Sequence, residues 1–246
     1  MTERGHRPRV LVTRPSADAL PLAGALQRRG FDVVLQPLLR IEPTGGPPPD
    51  LAGVQALLFT SANGVRAFAR RSDVRTLAVF AVGDATAAAA RAEGFASVAS
   101  ASGTVDNLAR LVQSRLDPAA GALLHAAGSA VAGDLAGALG AAGFTVRREQ
   151  LYTAQRVERF DPSVEEALRN GAVDAALFFS PRSAAGFVSV VRAAGLAEAC
   201  GGIGAFCLSE AVAEAARPVA WRSVVVAPEP NQDSLLAALE RDLTEP

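Results

Sequence analysis

Two stretches of this chain share one plan, and that duplication limits the fold more than any other feature. Residues 56–69 read ALLFTSANGVRAFA and residues 175–188 read AALFFSPRSAAGFV. Phe178, Ser180 and Phe187 stand 119 positions after Phe59, Ser61 and Phe68. In the first copy four apolar residues meet a polar turn, after which Val65 and Phe68 take up helical spacing. That is the pattern of a buried parallel strand feeding a helix. Hydroxyl and amide groups at the carboxyl end of such a strand, beside unpaired helix N–H groups, make a seat for an anion. Ser61 or Asn63 would equally serve as an ordinary helix cap.

The rest of the chain repeats around these two stretches. Residues 10–13 form a short strand, followed by a turn at Arg14-Pro15-Ser16 and a helix with Leu20, Ala23 and Leu26 on one side. That helix ends at Gly30, a left-handed cap position, and a strand follows over 31–35. Its LAGAL at 22–26 recurs at 135–139, and Phe31-Asp32-Val33-Val34 is matched by Phe144-Thr145-Val146-Arg147, both 113 positions later. Asp106 and Leu108 recur as Asp233 and Leu235. Between the copies lie strands over 77–82 and 96–99, a helix over 86–92, and a strand over 122–125 ending at His125 with a turn at Gly128-Ser129. Residues 36–43 carry two prolines, unlike a central strand, and Thr44-Gly45-Gly46-Pro47-Pro48-Pro49 reads as a boundary. Strands alternating with helices predict parallel sheets covered on both faces. The expected fold is α/β, two similar parallel-sheet lobes with the ligand in a cleft at their strand ends. Tandem repeats alone would divide the chain at 116/117.

Composition narrows the chemistry. All 24 basic residues are arginine, so a lysine Schiff base and a Walker-type phosphate lysine are both excluded. His6 and His125 are the only histidines, Cys200 and Cys207 have no metal or redox spacing, and no metal site is expected. His125 reads as a satisfied core residue. The net charge of −1, without blocks of like charge, argues against nucleic acid. No apolar run is long enough to span a bilayer, and residues 1–9 lead straight into a strand-like run. A soluble, cytosolic protein is expected. Candidate ligand-binding residues are those at the strand-to-helix turns: Thr13, Arg14, Ser61, Asn63, Gly83, Thr86, Gly103, Thr104, Gly128, Ser129, Ser180, Arg182, Ser183 and Pro228. Mostly small hydroxyl and glycine residues, they suit a large polyanion held by many weak donors.

In sequence order, VLVTRP, FTSANGV, AVGDATAAAA, GTVDNLARLV, LYTAQR, FFSPRSAAGF and VVVAPEPNQDSLLAAL give a series that resembles the uroporphyrinogen-III synthase family. One turn departs from it. Where the family repeats Gly-x-x-Thr in the second half, this chain has Cys207-Leu208-Ser209-Glu210-Ala211. The resemblance implies two α/β lobes joined by a two-stranded linker: residues 1–35 with 157–246, linker strands 36–42 and 149–156, and an inserted lobe over 43–148. It implies cyclisation of hydroxymethylbilane with loss of water and inversion of the terminal pyrrole through a spiro intermediate. No cofactor or metal is implied. The family also suggests a monomer, with transient contact to the preceding pathway enzyme.

Under this resemblance Tyr152, the only tyrosine, becomes the candidate catalytic acid, since a phenol donates a hydrogen bond while neutral. Packing as an interfacial aromatic is its other reading. Arg14 and Arg182 are candidate carboxylate ligands or, alternatively, surface arginines beside helix starts. Two rival functions follow from the residues. One is a non-catalytic anion-binding or regulatory module on the same fold. The other, a nucleotide-dependent enzyme, lacks G-x-G-x-x-G, a phosphate loop and lysine.

Overall fold

The protein's structure, a computed structural model, describes residues 7–101, 103–130 and 133–244; His6 and the remainder of residues 1–6 lie outside the described residues. In chain order the elements begin with β1 (Arg9–Val12), α1 (Ser16–Arg28), β2 (Asp32–Leu35), β3 (Leu39–Pro43), β4 (Val54–Phe59) and α2 (Ala62–Arg71). Next come β5 (Ala78–Ala81), α3 (Asp84–Ala92), β6 (Val98–Ser100), α4 (Val105–Arg115), β7 (Ala122–Gly128), α5 (Leu135–Gly140) and β8 (Val146–Arg156). The chain closes with α6 (Pro162–Arg169), β9 (Ala175–Phe178), α7 (Pro181–Ala193), β10 (Gly204–Cys207), α8 (Glu210–Ala216), β11 (Ser223–Val226) and α9 (Gln232–Thr244).

These elements form two compact units, Met1–Arg40 with Gln155–Pro246, and Ile41–Ala154. The first holds a sheet of order β11-β10-β9-β1-β2, and the second a sheet of order β3-β8-β7-β4-β5-β6. From β11 to β2, and from β8 to β6, every neighbouring pair is parallel. The proline-flanked β3 occupies a sheet edge, where a missing N–H costs no ladder bond.

The two orders explain the repeat. In each sheet a β-α-β pair (β1-α1-β2 or β7-α5-β8) sits beside a longer run (β9 to α9, or β4 to α4). In the sequence, however, each pair precedes the run that belongs to the other sheet. The tandem halves are therefore crossed, and neither sheet is built from one contiguous repeat.

Both sheets are covered on both faces, so their central strands are apolar throughout. On β4, Leu57 and Phe59 join a core with Val65 and Phe68 of α2, while Ala56 and Leu58 join one with Leu108, Val112, Leu135 and Leu139. On β9, Phe178 packs with Phe187 of α7, while Leu177 faces Leu22 and Leu26 of α1. The repeated phenylalanines meet edge to face in both units, Phe59–Phe68 at 5.9 Å and Phe178–Phe187 at 5.4 Å between ring centres. Phe95 joins one cluster and Trp221 the other, and Phe160 adds a further ring against Phe187.

Three sequence expectations are corrected. Leu20 is 64% exposed; the buried face of α1 is Ala19, Leu22, Ala23 and Leu26, whose three- and four-residue spacing keeps one side where successive steps of three drift round the helix. His125 does not end its strand, because β7 runs on to Gly128. Gly128 is accordingly a strand residue, not part of a turn.

Gly64 is the close-approach position of the second unit, since a Cβ there would stand 2.6 Å from the backbone oxygen of Ala126 on β7. In a free helix Gly→Ala stabilises by up to about 1 kcal/mol. Here the methyl would push α2 off its sheet, and overpacking costs roughly 1–3 kcal/mol. Gly64→Ala should therefore lower the urea midpoint at unchanged m-value. A raised midpoint would show that the helix stands clear of β7.

Candidate functional site

In a parallel sheet all carboxyl ends lie along one edge, and the sequence-predicted site residues collect there within each unit. In the second unit Ser61 and Asn63 follow β4, Gly83 and Thr86 follow β5, Gly103 and Thr104 follow β6, and Ser129 follows β7. Tyr152 pairs in register with Gly128, which places it at the same edge. In the first unit Thr13 and Arg14 follow β1, Ser180, Arg182 and Ser183 follow β9, and Pro228 follows β11.

Several of the predicted hydroxyls are engaged as caps. Ser61 Oγ accepts from the Asn63 N–H, Thr104 Oγ1 from the Asn107 N–H, and Ser180 Oγ from the Ser183 N–H. Each satisfies one helix donor and leaves others of the first turn facing the edge. Asn63 Oδ1 accepts from Arg66 at 2.7 Å, and Asn107 Oδ1 from Arg110 at 2.8 Å, so both turns carry an arginine tied to an asparagine. Thr86 is buried in the first turn of α3, which starts at Asp84 and not at Thr86. Thr13 is fully buried, and its hydroxyl donates to the carbonyl of Leu177 at 2.7 Å. Its role is to tie β1 to β9. The altered turn after β10 enters α8 at Ser209, whose side chain makes no capping bond.

Arg14 is held from three sides. Its guanidinium lies 4.5 Å over the Phe179 ring, Nη1 donates to Gln232 Oε1 at 3.2 Å, and Nη2 is 3.7 Å from Asp18. The sequence reading passed over Phe179 and Gln232. Phe179 could have been found as an aromatic just past a strand end, but nothing in the sequence links residue 232 to residue 14.

Tyr152 is only 7% exposed and packs in the core with Phe59, Val65, Leu124 and Leu151. On β7, opposite Arg148, His125 is 3% exposed, with Nε2 3.2 Å from Thr60 Oγ1. Burial, and then the positive charge of Arg148, push the His125 pKa down from 6.5 to about 4. The imidazole is neutral at pH 7, which bears out its reading as a satisfied core residue. Arg148, also missed, donates from Nη2 to the carbonyls of Gly128 at 2.8 Å and Ser129 at 3.3 Å. Burial raises the Cys200 and Cys207 thiols to about 12, helped at Cys207 by Glu210, so both are unreactive near neutral pH. Among the described residues no three of His, Cys, Asp and Glu cluster to hold a metal, and no helix is long and apolar enough to cross a membrane.

The family model for "Uroporphyrinogen-III synthase HemD" matches residues 21–237. The chain belongs to that family. Among solved structures, a mutant uroporphyrinogen III synthase from the extremely thermophilic bacterium Thermus thermophilus is 22% identical with a TM-score of 0.59, covering 97% of this chain and 100% of that one. The uroporphyrinogen-III synthetase of Helicobacter pylori is 14% identical with a TM-score of 0.62, over 95% and 98% respectively. At such identities these two likenesses speak to the fold, which this member of the synthase family shares. No curated protein matches the chain in sequence.

The depressed His125 pKa sets a stability slope. Between pH 6.5 and about 4 the unfolded chain binds a proton that the folded chain refuses, so stability is whole above 6.5 and falls as pH drops. By pH 5 the loss should be on the order of 2 kcal/mol. Urea unfolding at pH 7.5 and 5.0 on wild type and His125→Leu isolates it: the variant should lack this part of the decline. Equal declines would mean that His125 titrates normally.

Proposed function

We propose that this chain is a uroporphyrinogen-III synthase, a cyclising hydro-lyase acting on hydroxymethylbilane. The single observation that carries this reading is the family match across residues 21–237. The residue chemistry agrees with it. The substrate is a linear tetrapyrrole with eight carboxylates, and each sheet's carboxyl edge offers helix N-termini, hydroxyls and arginines. Helix N-termini each supply roughly half a positive charge, so a nearly neutral chain can hold a polyanion.

The reaction needs little from the protein beyond geometry. Departure of the hydroxymethyl oxygen as water leaves an azafulvene cation conjugated with the pyrroles. The substituted carbon of the terminal ring attacks that cation, and the resulting spiro intermediate fragments and recloses with the ring inverted. The substrate supplies both electrophile and nucleophile; the chain folds it and assists the leaving water. Tyr152 gives that assistance in this reading: its phenol donates towards the departing hydroxyl, and the proton released when the last pyrrole regains aromaticity restores the balance. Arg14, steadied by Phe179, Gln232 and Asp18, binds a carboxylate, and Arg182 at the start of α7 binds another. A monomeric, cytoplasmic enzyme is the form in which we expect it to act, meeting the preceding pathway enzyme only transiently.

Freshly prepared hydroxymethylbilane incubated with the protein should give the type III isomer, resolved from type I by chromatography. Type I alone, the product of spontaneous closure, would overturn the proposal. Arg14→Ala and Arg182→Ala should each raise KM more than they lower kcat, while unchanged kinetics would release that arginine from the site. Tyr152→Phe keeps the ring and removes the donor, so kcat should fall about 100-fold on a folded protein. Turnover within about twofold of wild type would return Tyr152 to packing.

A further inference from the structure

An irregularity in β8 aims its tyrosine. Along the β7–β8 pair Ala127 stands opposite Gln150, but Gly128 stands opposite Tyr152, so Leu151 is an extra residue in the ladder. Consecutive strand residues ordinarily point to opposite faces. Leu151 and Tyr152 nevertheless share one core, with Phe59, Leu124 and Ala126. The bulge turns the tyrosine onto the face that its neighbour already occupies. Bulges are rare in parallel pairs and concentrate where a side chain must be re-aimed.

What the tyrosine is aimed at is equally specific. A Cβ on Gly128 would stand 2.6 Å from Tyr152 Cε2 and Cζ and 3.0 Å from its hydroxyl oxygen. The tip of the phenol therefore rests on the bare backbone of residue 128. Three bonds fix that shelf: Arg148 Nη2 to the Gly128 carbonyl at 2.8 Å, the Ser129 N–H to the Tyr152 carbonyl at 3.0 Å, and the Ala154 N–H to Ser129 Oγ at 3.4 Å. Contrast Gly64, where an added methyl meets unyielding backbone. At Gly128 it would meet the far end of a side chain, which can swing aside without unfolding the sheet.

We propose that Gly128 and Arg148 are positioning residues for Tyr152, holding the phenol where the Leu151 bulge directs it; the inference rests on the reading of Tyr152 as the acid. Gly128→Ala should leave the protein folded and tilt the hydroxyl away from the departing water. On that basis kcat falls at least about tenfold with KM within about twofold, the loss that misplacing a positioned donor gives. In the Tyr152→Phe background the same alanine should cost nothing further, since there is no hydroxyl left to misplace.

Because Tyr152 is the only tyrosine, biosynthetic 3-fluorotyrosine reports its ring alone by fluorine NMR. Gly128→Ala, and Arg148→Ala as a second variant should the first not fold, are expected to move that resonance. An unmoved resonance, or wild-type kcat in folded Gly128→Ala, overturns the positioning role while leaving Tyr152 as the acid if Tyr152→Phe is slow. A full additional loss in the double variant also overturns it, because Gly128 would then act apart from the phenol. Should Tyr152→Phe itself turn over normally, the acid assignment fails and the catalytic part of this inference fails with it.

Discussion

The first unit exists because β1 pairs with β9, strands separated by most of the chain. Val10, Leu11 and Val12 lie in register with Ala175, Ala176 and Leu177, and both ends of the pair are pinned by side chains. At one end Asp174 accepts from the Arg9 N–H at 2.7 Å; at the other Thr13 donates to the Leu177 carbonyl at 2.7 Å. A buried hydroxyl with a partner is stabilising, and without one it costs about 1–3 kcal/mol. Everything else in the unit follows from this seam. The core under α1 and α9 is formed by Val10 and Val12 from one side and Ala175 and Leu177 from the other. The second unit has the same seam between β4 and β7. In each sheet it joins a β-α-β pair to a run of strands from the other half of the repeat.

That crossing marks the border of what could be read from the sequence. The matched Phe59–Phe68 and Phe178–Phe187 pairs were visible as identical residues at one lag, and they are identical ring contacts in the fold. The ring that joins each pair was not visible, because Phe95 in one unit is Trp221 in the other and only aromatic character is kept. Continuous apolar runs located the strands, but such a run carries no sign of where its ladder slips register. The bulge at Leu151, the strand character of Gly128 and the burial of Tyr152 were therefore out of reach. Leu20 was misplaced for a simpler reason: three apolar residues at equal spacing look like a stripe, although only a mixture of threes and fours stays on one side of a helix.

The arginines near the two carboxyl edges share one feature. Arginines at the strand ends are tethered: Arg66 to Asn63, Arg110 to Asn107, Arg148 to the end of β7, Arg14 on the face of Phe179. A long side chain that is free in solution gives up about 0.5–1.5 kcal/mol when a ligand immobilises it. Prior tethering removes part of that cost, and guanidinium keeps its charge whatever its surroundings. Lysine, a flexible point charge whose pKa shifts on burial, would do neither. The total absence of lysine is compatible with a polyanion site for this reason.

The β1–β9 seam also has a consequence for the order in which the protein can be made. On a ribosome β1 emerges early, yet its partner lies 165 residues later. At about 5–20 residues per second the wait is roughly 10–30 s, long compared with the microseconds to milliseconds in which local structure forms. During that interval residues 41–154 emerge as one uninterrupted stretch, carrying all strand partners from β4 to β8. β1 thus gains its second neighbour only after the whole of that stretch has been made. Its Val-Leu-Val edge is left open on a nascent chain until Ala175–Leu177 arrives to cover it.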